Sequence, residues 1–397
     1  MGFKTYTCPI ARTCGGCEWL AVPYPIQLRR KQAAIEELFA QVIAEDRAEL
    51  RPICGMDEPL AYRHKAATPF APGKGDRVRS GFYVAGSHRI VACESCLAED
   101  PRARAVLNAV ARVASRLHIP AYQEDRGTGV LRHAVVRCGY ATDDVLLTVV
   151  TATDELPHQK ALVNGLLKAN VGVTSIVQNV NDRKTNAILG FRNKTLYGPG
   201  HMHDRLLGCT FEIGPTSFYQ TNPAQTEVLY RLALEAAGVG EGSGEVSVLD
   251  AYCGTGTIGI CAAFVANKAQ VVGVEQVKGA VACAKRNAQA NQVADRCRFI
   301  QADATSYLLE TAAQGEQRFD VVIMDPPRAG STPEFLGAVA RLAPERVAYV
   351  SCNAVTQARD LQVLRNAGYR LEWLAPVDMF PHTKHVETVA LLSRAGR

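Results

Sequence analysis

The 397-residue chain has no uninterrupted apolar run approaching the ~18 residues that a membrane-spanning helix requires, which argues against a membrane partner. Its first residues, Met-Gly-Phe-Lys-Thr-Tyr-Thr-Cys, lack the apolar h-region of a secretory signal, so a cytoplasmic protein is expected. No segment recurs at a fixed period and no low-complexity stretch marks a linker, which argues against a solenoid. Charge of one sign is not in large excess. The 44 Lys and Arg face 39 Asp and Glu, a balance that permits nucleic acid as a partner without requiring it. In a reducing compartment the 13 cysteines are not expected to form disulfides, so some should serve metal or catalysis.

What is present suits a soluble protein: 47% hydrophobic and 21% charged residues, with a length that favours two domains. Cys8, Cys14 and Cys17 form C-x5-C-x2-C, and Gly15 and Gly16 let the backbone turn tightly enough for the sulfurs to face one centre. Cys93 and Cys96 supply two candidates for a fourth ligand, and the spacing alone does not choose between zinc and an iron-sulfur cluster. A helix is predicted over 23–38, and short antiparallel strands over 62–92. There Arg63, His64, Lys65, Arg77 and Arg79 mix with Tyr62, Phe70, Phe82 and Tyr83 in a pattern suited to phosphate contact and base stacking. A helix at 101–117, strands at 131–138 and 145–151, a helix at 157–168 and strands at 174–179 and 185–189 complete an α+β region. The domain boundary is placed after residue 204, giving regions 1–204 and 205–397.

From Val246 onward, strands alternate with helices, the pattern of a doubly wound parallel sheet. Gly254, Gly256 and Gly259 match the dinucleotide fingerprint, with Glu275 at the next strand end to bond ribose hydroxyls. A nicotinamide dehydrogenase is therefore one reading. Asp250, beside the turn, would repel a pyrophosphate and suits the cationic methionine part of S-adenosylmethionine, which favours a methyltransferase. Asp303, after a further strand, is a candidate adenine or ribose contact.

Three further features carry chemistry. Asp325 ends a strand and is stiffened by Pro326 and Pro327. Cys352 follows the apolar run from Val347, where a parallel strand opens toward ligand, and is a candidate nucleophile. Glu387 begins an apolar strand, a costly position for a carboxylate unless it is paired or functional. Phe218, Tyr219 and Gln220 offer an aromatic pair and an amide for reading a flat base.

Taken together, the C-x5-CGGC start, SFYQTN, LDAYCGTGTIG, MDPPR, SCN and FPHTKHVE resemble the RNA uracil-5-methyltransferases of the TrmA, RlmC and RlmD superfamily. The resemblance implies a Rossmann-like methyltransferase domain behind an N-terminal α+β domain, S-adenosylmethionine as methyl donor, and a uridine in RNA as target. It implies Cys352 as nucleophile, Glu387 as base, Asp325 as active-site orienter, and Phe218 and Gln220 as base- or cofactor-contacting positions. Asp250, Gly254, Gly256, Glu275, Asp303 and Asp325 would line the cofactor pocket. It further implies a [4Fe-4S] cluster on Cys8, Cys14, Cys17 and Cys96, although the family's fourth cysteine usually precedes proline and here Leu97 follows. With only seven residues before Cys8, the TRAM RNA-binding module of RlmD relatives is not expected, and TrmA relatives lack the cluster cysteines. The arrangement is most similar to the RlmC branch, acting on 23S ribosomal RNA. A monomer with a looped RNA target and no DNA partner is expected.

The chemistry is consistent with this resemblance. Carbon 5 of uracil is a weak nucleophile, and a thiolate adding at carbon 6 makes it a strong one. Such a thiolate is expected to have a lowered pKa near the cofactor's positive charge. A non-catalytic RNA-binding iron-sulfur protein is the remaining alternative.

Overall fold

The computed structural model describes residues 4–75, 77–84, 86–315 and 317–394. From the amino end run α1 (Ala11–Cys14), α2 (Tyr24–Asp46), β1 (Glu49–Leu50), β2 (Lys65–Pro72), β3 (Val78–Tyr83), β4 (Ile90–Ala92), α3 (Pro101–Arg116), β5 (Leu131–Cys138) and β6 (Val145–Thr151). Next come α4 (Gln159–Lys168), β7 (Ser175–Val180), β8 (Arg192–Tyr197), β9 (Met202–Leu206), β10 (Cys209–Ile213) and α5 (Pro223–Ala237). The remainder alternates: β11 (Val246–Ala251), α6 (Thr257–Val265), β12 (Ala269–Glu275), α7 (Lys278–Ala290), β13 (Cys297–Gln301), α8 (Ala304–Gln314) and β14 (Val321–Met324). It ends with α9 (Pro333–Leu342), β15 (Arg346–Ser351), α10 (Ala354–Asn366), β16 (Tyr369–Val377) and β17 (Glu387–Arg394). No helix among the described residues is long and apolar enough to cross a membrane.

The elements form two units. The first comprises Met1–Val22, Glu58–Arg205 and Glu212–Pro223, and its sheet has the order β4-β3-β2-β5-β6-β7-β8. Neighbours are antiparallel except β6 and β7, which are parallel and joined through α4. Helix α3 starts where Pro101 presets the first turn and the Asp100 carboxylate accepts the Arg102 amide at 2.8 Å. Its Val106, Leu107, Val110 and Val113 join Val136, Leu147 and Ile176 in one core. Tyr62 and Phe70 are buried, so two of the four aromatics read as stacking candidates are packing residues instead.

The strand expected at 185–189 does not form, and β8 lies further on. Gly190 explains the delay, because a Cβ there would lie 1.9 Å from the Val180 carbonyl oxygen. The chain therefore approaches β7 closely at this glycine before it can pair as a strand.

The second unit comprises Pro23–Asp57, Leu206–Phe211 and Ala224–Arg397. A single cut after residue 204 places residues 23–57 with the first region; the contacts place them here for two reasons. Ile35 and Phe39 of α2 share a core with Leu371, Leu374 and Leu392, and β1 pairs in parallel with β16. Burying a side chain of the Phe39 kind contributes about 1.5–3 kcal/mol, which fixes the helix to this sheet. The basic start of α2 also divides: Arg29 and Arg30 are exposed, whereas Lys31 is 1% exposed and bonded to Asp378 at 2.5 Å.

The sheet order is β1-β16-β17-β15-β14-β11-β12-β13. The Rossmann-like core β15-β14-β11-β12-β13 is parallel, as expected. The doubly wound parallel sheet expected from the sequence is present, and one strand, β17, runs antiparallel between β15 and β16. Only an antiparallel strand can return directly from β16 without a helical crossover.

Candidate active site

The topology brings the predicted catalytic residues to one edge. Parallel β11, β14 and β15 end together, with Met324 level with Ala251 on one side and Tyr349 on the other. Asp325 and Cys352 are the residues that follow β14 and β15. Because β17 runs the other way, its first residue, Glu387, arrives at that same edge. Ser351 pairs with Thr388, so one step further sets Cys352 opposite Glu387.

Neighbouring loops hold these groups. Asn353 caps α10 by accepting the Val355 amide at 3.2 Å, and its side-chain amide donates to the Arg328 carbonyl at 3.0 Å. The loop after Asp325 is thereby tied to the turn that carries Cys352. Arg359 donates to the Ala329 carbonyl at 3.0 Å, and buried Asp360 accepts the Ser331 amide and the Tyr349 hydroxyl, each at 2.7 Å. Lys31 and the Tyr24 hydroxyl, at 2.7 Å, both bond the Asp378 carboxylate in the segment leading to Glu387. Gln27 accepts the His382 amide in that segment at 2.9 Å. None of these supports was read from the sequence. Arg328 lay within the MDPPR motif, but Lys31 and Asp378 are 347 residues apart and carry no local signal.

Burial raises the Cys352 thiol above its ordinary value, and Glu387 and Asp325 push it further, while Arg328 opposes them. The protein's own groups thus raise the thiol, and the lowering expected from the sequence rests on the positive charge of the bound cofactor. Glu387 is pushed up to about 8 by burial and then by Asp325, against Arg328. Burial raises Asp325 to about 7. Asp250 also reaches about 7 through burial and the charges of Asp325 and Glu275, opposed by the Gly259 amide. Crowded carboxylates of this kind are relieved by a cation.

At the glycine turn, Gly254 and Gly256 are left-handed, with φ of +56° and +81°. A Cβ on Gly256 would also meet the Phe299 ring at 2.8 Å, so the tight turn requires glycine. The Glu275 carboxylate accepts the Gly254 amide at 3.2 Å and the Val277 amide at 2.7 Å, leaving lone pairs for ligand hydroxyls. Asp303 is exposed and caps α8, accepting the Ser306 amide at 2.9 Å. Asp250 is enclosed beneath the turn, where it accepts the Gly259 amide at 2.9 Å. A carboxylate-rich strand edge beside a close-approach turn fits the sulfonium and ribose of S-adenosylmethionine.

Phe218 and Gln220 belong to the first unit. Phe218 is 66% exposed, and Gln220 is partly buried. Buried Arg137 donates to the Ser217 carbonyl, and the His64 amide donates to the Thr221 carbonyl at 2.8 Å, fixing this segment at both ends.

Cys8, Cys14, Cys17 and Cys96 lie in the same unit. Cys17 is pushed up to about 11 by burial and then by Cys96, Cys14 and Cys8, against Arg63, so its sulfur lies near theirs; Cys93 in turn lies near Cys96 and Cys14. Cys93 is buried and its thiol donates to the Ser95 carbonyl at 3.2 Å. Among the described residues, no group of three or more Cys, His, Asp or Glu is drawn together closely enough to hold a metal ion. The donor type and neighbourhood fit a thiolate-bound group, while the present side-chain arrangement is not yet a closed ligand shell.

The Rossmann-like sheet with its antiparallel β17 and carboxylate-lined strand edge defines an S-adenosylmethionine-dependent methyltransferase. Residues 201–395 match the family model described as tRNA (uracil-5-)-methyltransferase. Over 386 residues the chain is 41% identical to an uncharacterised RNA methyltransferase of Halalkalibacterium halodurans, covering 97% of this chain and 82% of that protein. A Staphylococcus aureus protein of the same description is 40% identical over 386 residues, covering 97% and 83%. The fold matches Pyrococcus abyssi tRNA (uracil-54, C5)-methyltransferase in complex with S-adenosyl-L-homocysteine, with a TM-score of 0.75, 27% identity and coverage of 98% and 87%. The chain belongs to the RNA (uracil-5-)-methyltransferase family.

Proposed function

We propose that this enzyme methylates carbon 5 of a uridine in a loop of 23S ribosomal RNA through a transient bond between Cys352 Sγ and carbon 6 of the base. The observation that supports this reading is the Ser351–Thr388 register, one residue short of Cys352 and Glu387, with Asp325 following the neighbouring strand β14. The Cys352 thiolate adds to carbon 6, and the electron pair of the carbon 5–carbon 6 double bond passes into an enolate that makes carbon 5 nucleophilic. Bound S-adenosylmethionine supplies the electrophilic methyl group. Glu387, as carboxylate, takes the carbon 5 proton, and the pair left behind re-forms the double bond and expels Cys352 as thiolate. Asp325 orients the reacting groups. Gly254, Gly256, Glu275 and Asp303 hold the donor, Asp250 supports their turn and adds negative charge, and Phe218 and Gln220 stack on and read a base. The enzyme acts as a cytoplasmic monomer.

In this proposal Cys8, Cys14, Cys17 and Cys96 hold a [4Fe-4S] cluster, and region 1–204 contributes RNA binding. Cys96 is taken over Cys93 as the fourth ligand because the Cys93 thiol is buried and already donates to the Ser95 carbonyl. A second reading, tRNA as substrate, is favoured by the whole-chain likeness to the Pyrococcus abyssi enzyme. Incubating the purified protein with S-adenosylmethionine and either a 23S or a tRNA transcript, then mapping 5-methyluridine, decides between them. Methylation of 23S RNA is expected, and methylation of tRNA alone would overturn the substrate assignment.

A further inference from the structure

We infer that Phe191, Arg183 and Lys184 form a second nucleotide-binding surface, on the first unit, that stacks an unpaired base of the RNA substrate and contacts its phosphate. Phe191 is 83% exposed and immediately precedes β8, the edge strand of that unit's sheet. The Arg183 guanidinium lies 4.2 Å from the ring centroid, covering one side of the ring and leaving the remainder to solvent. Single exposed aromatics are ordinary, so the argument rests on what surrounds this one.

The underside of the loop between β7 and β8 is built from buried polar groups. Asn181 donates to the Ala187 and Ile188 carbonyls at 2.7 and 3.1 Å, and Asn179 exchanges bonds of 3.0 and 2.7 Å with the Gly190 backbone. Buried Arg132 donates to the Asn181 and Arg183 carbonyls, each at 2.8 Å. The ring is thus presented on a fixed support. The charges nearby divide into two sets. Arg192 is met by Asp154 at 2.5 Å and Asp182 at 3.3 Å. Exposed Arg183 and Lys184 have no carboxylate partner among the described residues. Cations without a carboxylate partner and a ring open on one side therefore share one loop.

A ring flanked by unneutralised cations suits a nucleobase and its phosphodiester better than a protein surface, because stacking and phosphate contact are the two terms that hold single-stranded RNA. The inference rests on the family's RNA substrate and is independent of the catalytic roles above. All three side chains are exposed; the Arg183 guanidinium makes one long bond, to the Leu189 carbonyl at 3.4 Å, so the variants are expected to stay folded, which thermal melting checks.

The test measures binding of in-vitro-transcribed 23S RNA and tRNA over a range of salt, together with methyl transfer at saturating RNA. Phe191→Ala is expected to weaken binding of the methylated RNA about 5- to 150-fold, with Phe191→Trp restoring it. Arg183→Ala/Lys184→Ala is expected to reduce the slope of log affinity against log salt by about 1.4, the value for two single-strand phosphate contacts. The rate at saturating RNA stays at the parent value in both variants, whereas a failed catalytic reading would appear in Cys352 variants instead. If Phe191→Ala binds both RNAs as the parent does and the double variant keeps the parent's salt slope, the surface is not part of the RNA footprint. Unchanged RNA binding with altered self-association would assign it to a protein contact and equally overturn the inference.

Discussion

Replacing Asp325 by Asn should move the pH dependence of methyl transfer in a direction fixed by the sheet. Glu387 can take the carbon 5 proton only when ionised, so the rate rises with pH through its pKa of about 8. Asp325 follows β14 and Glu387 begins β17, with β15 between them, a separation of about 9.6 Å at ~4.8 Å per strand. At an effective dielectric near 20, a unit charge at that distance contributes about 1.7 kcal/mol, or about 1.3 pH units. The negative charge of Asp325 disfavours ionised Glu387, so its removal lowers the midpoint by that amount. The thiol of Cys352 moves the same way, because Asp325 raises it too. Arg328→Met is the opposite perturbation and should raise the midpoint. The assay is single-turnover methyl transfer on prebound RNA from acid to alkaline pH. The sulfonium charge of the donor lowers the parent and variant midpoints alike, so their difference is the diagnostic quantity. Asp325→Asn loses rate at every pH, yet its midpoint remains readable. An unchanged or raised midpoint would refute the reasoning.

Three other outcomes follow from the same structure. The Glu387 carboxyl is raised in the folded state from 4.5 to about 8, so its stabilising contribution is fully present below about 4.5 and lost as pH rises to about 8. Thermal melting of the unliganded protein should show Glu387→Gln more stable than the parent above that window, by at most about 5 kcal/mol. Lys31→Met strands the buried Asp378 charge and should cost about 3–5 kcal/mol in urea denaturation, with Lys31→Met/Asp378→Leu recovering part of the loss. Protein purified without oxygen should contain iron and sulfide and absorb visible light; Cys17→Ser should lose these and Cys93→Ser should keep them, as measured by metal analysis.

Local pattern carried much of the fold. Strands β5 and β6, buried along their whole length, have the bounds read from sequence, even though β5 carries Arg132, His133 and Arg137 among its apolar residues. The ends of β14 and β15 and the start of β17 were legible too, which is why Asp325, Cys352 and Glu387 could be named. What the sequence hid was long-range. The docking of α2 through Ile35 and Phe39 and the Lys31–Asp378 pair depend on partners hundreds of residues away, and the reversal of β17 on strands tens of residues before it. Lys31 looked like one more cation on a basic helix start. The shift of the last expected strand to β8 reflects side-chain bonds from Asn179 and Asn181, which compete with pairing and leave no hydrophobic trace. That burial, Glu387 and Asp325 all raise the Cys352 thiol is visible only in the fold.

The central claim is a covalent bond between Cys352 and carbon 6 of the target uridine that Glu387 must resolve. The most direct measurement is denaturing electrophoresis of labelled RNA incubated with S-adenosylmethionine and the Glu387→Gln protein. Glu387→Gln is expected to hold the RNA in a stable adduct that co-migrates with protein, and Cys352→Ala/Glu387→Gln is expected to hold none. An adduct that persists without Cys352, or full methylation by Cys352→Ala, would contradict the account.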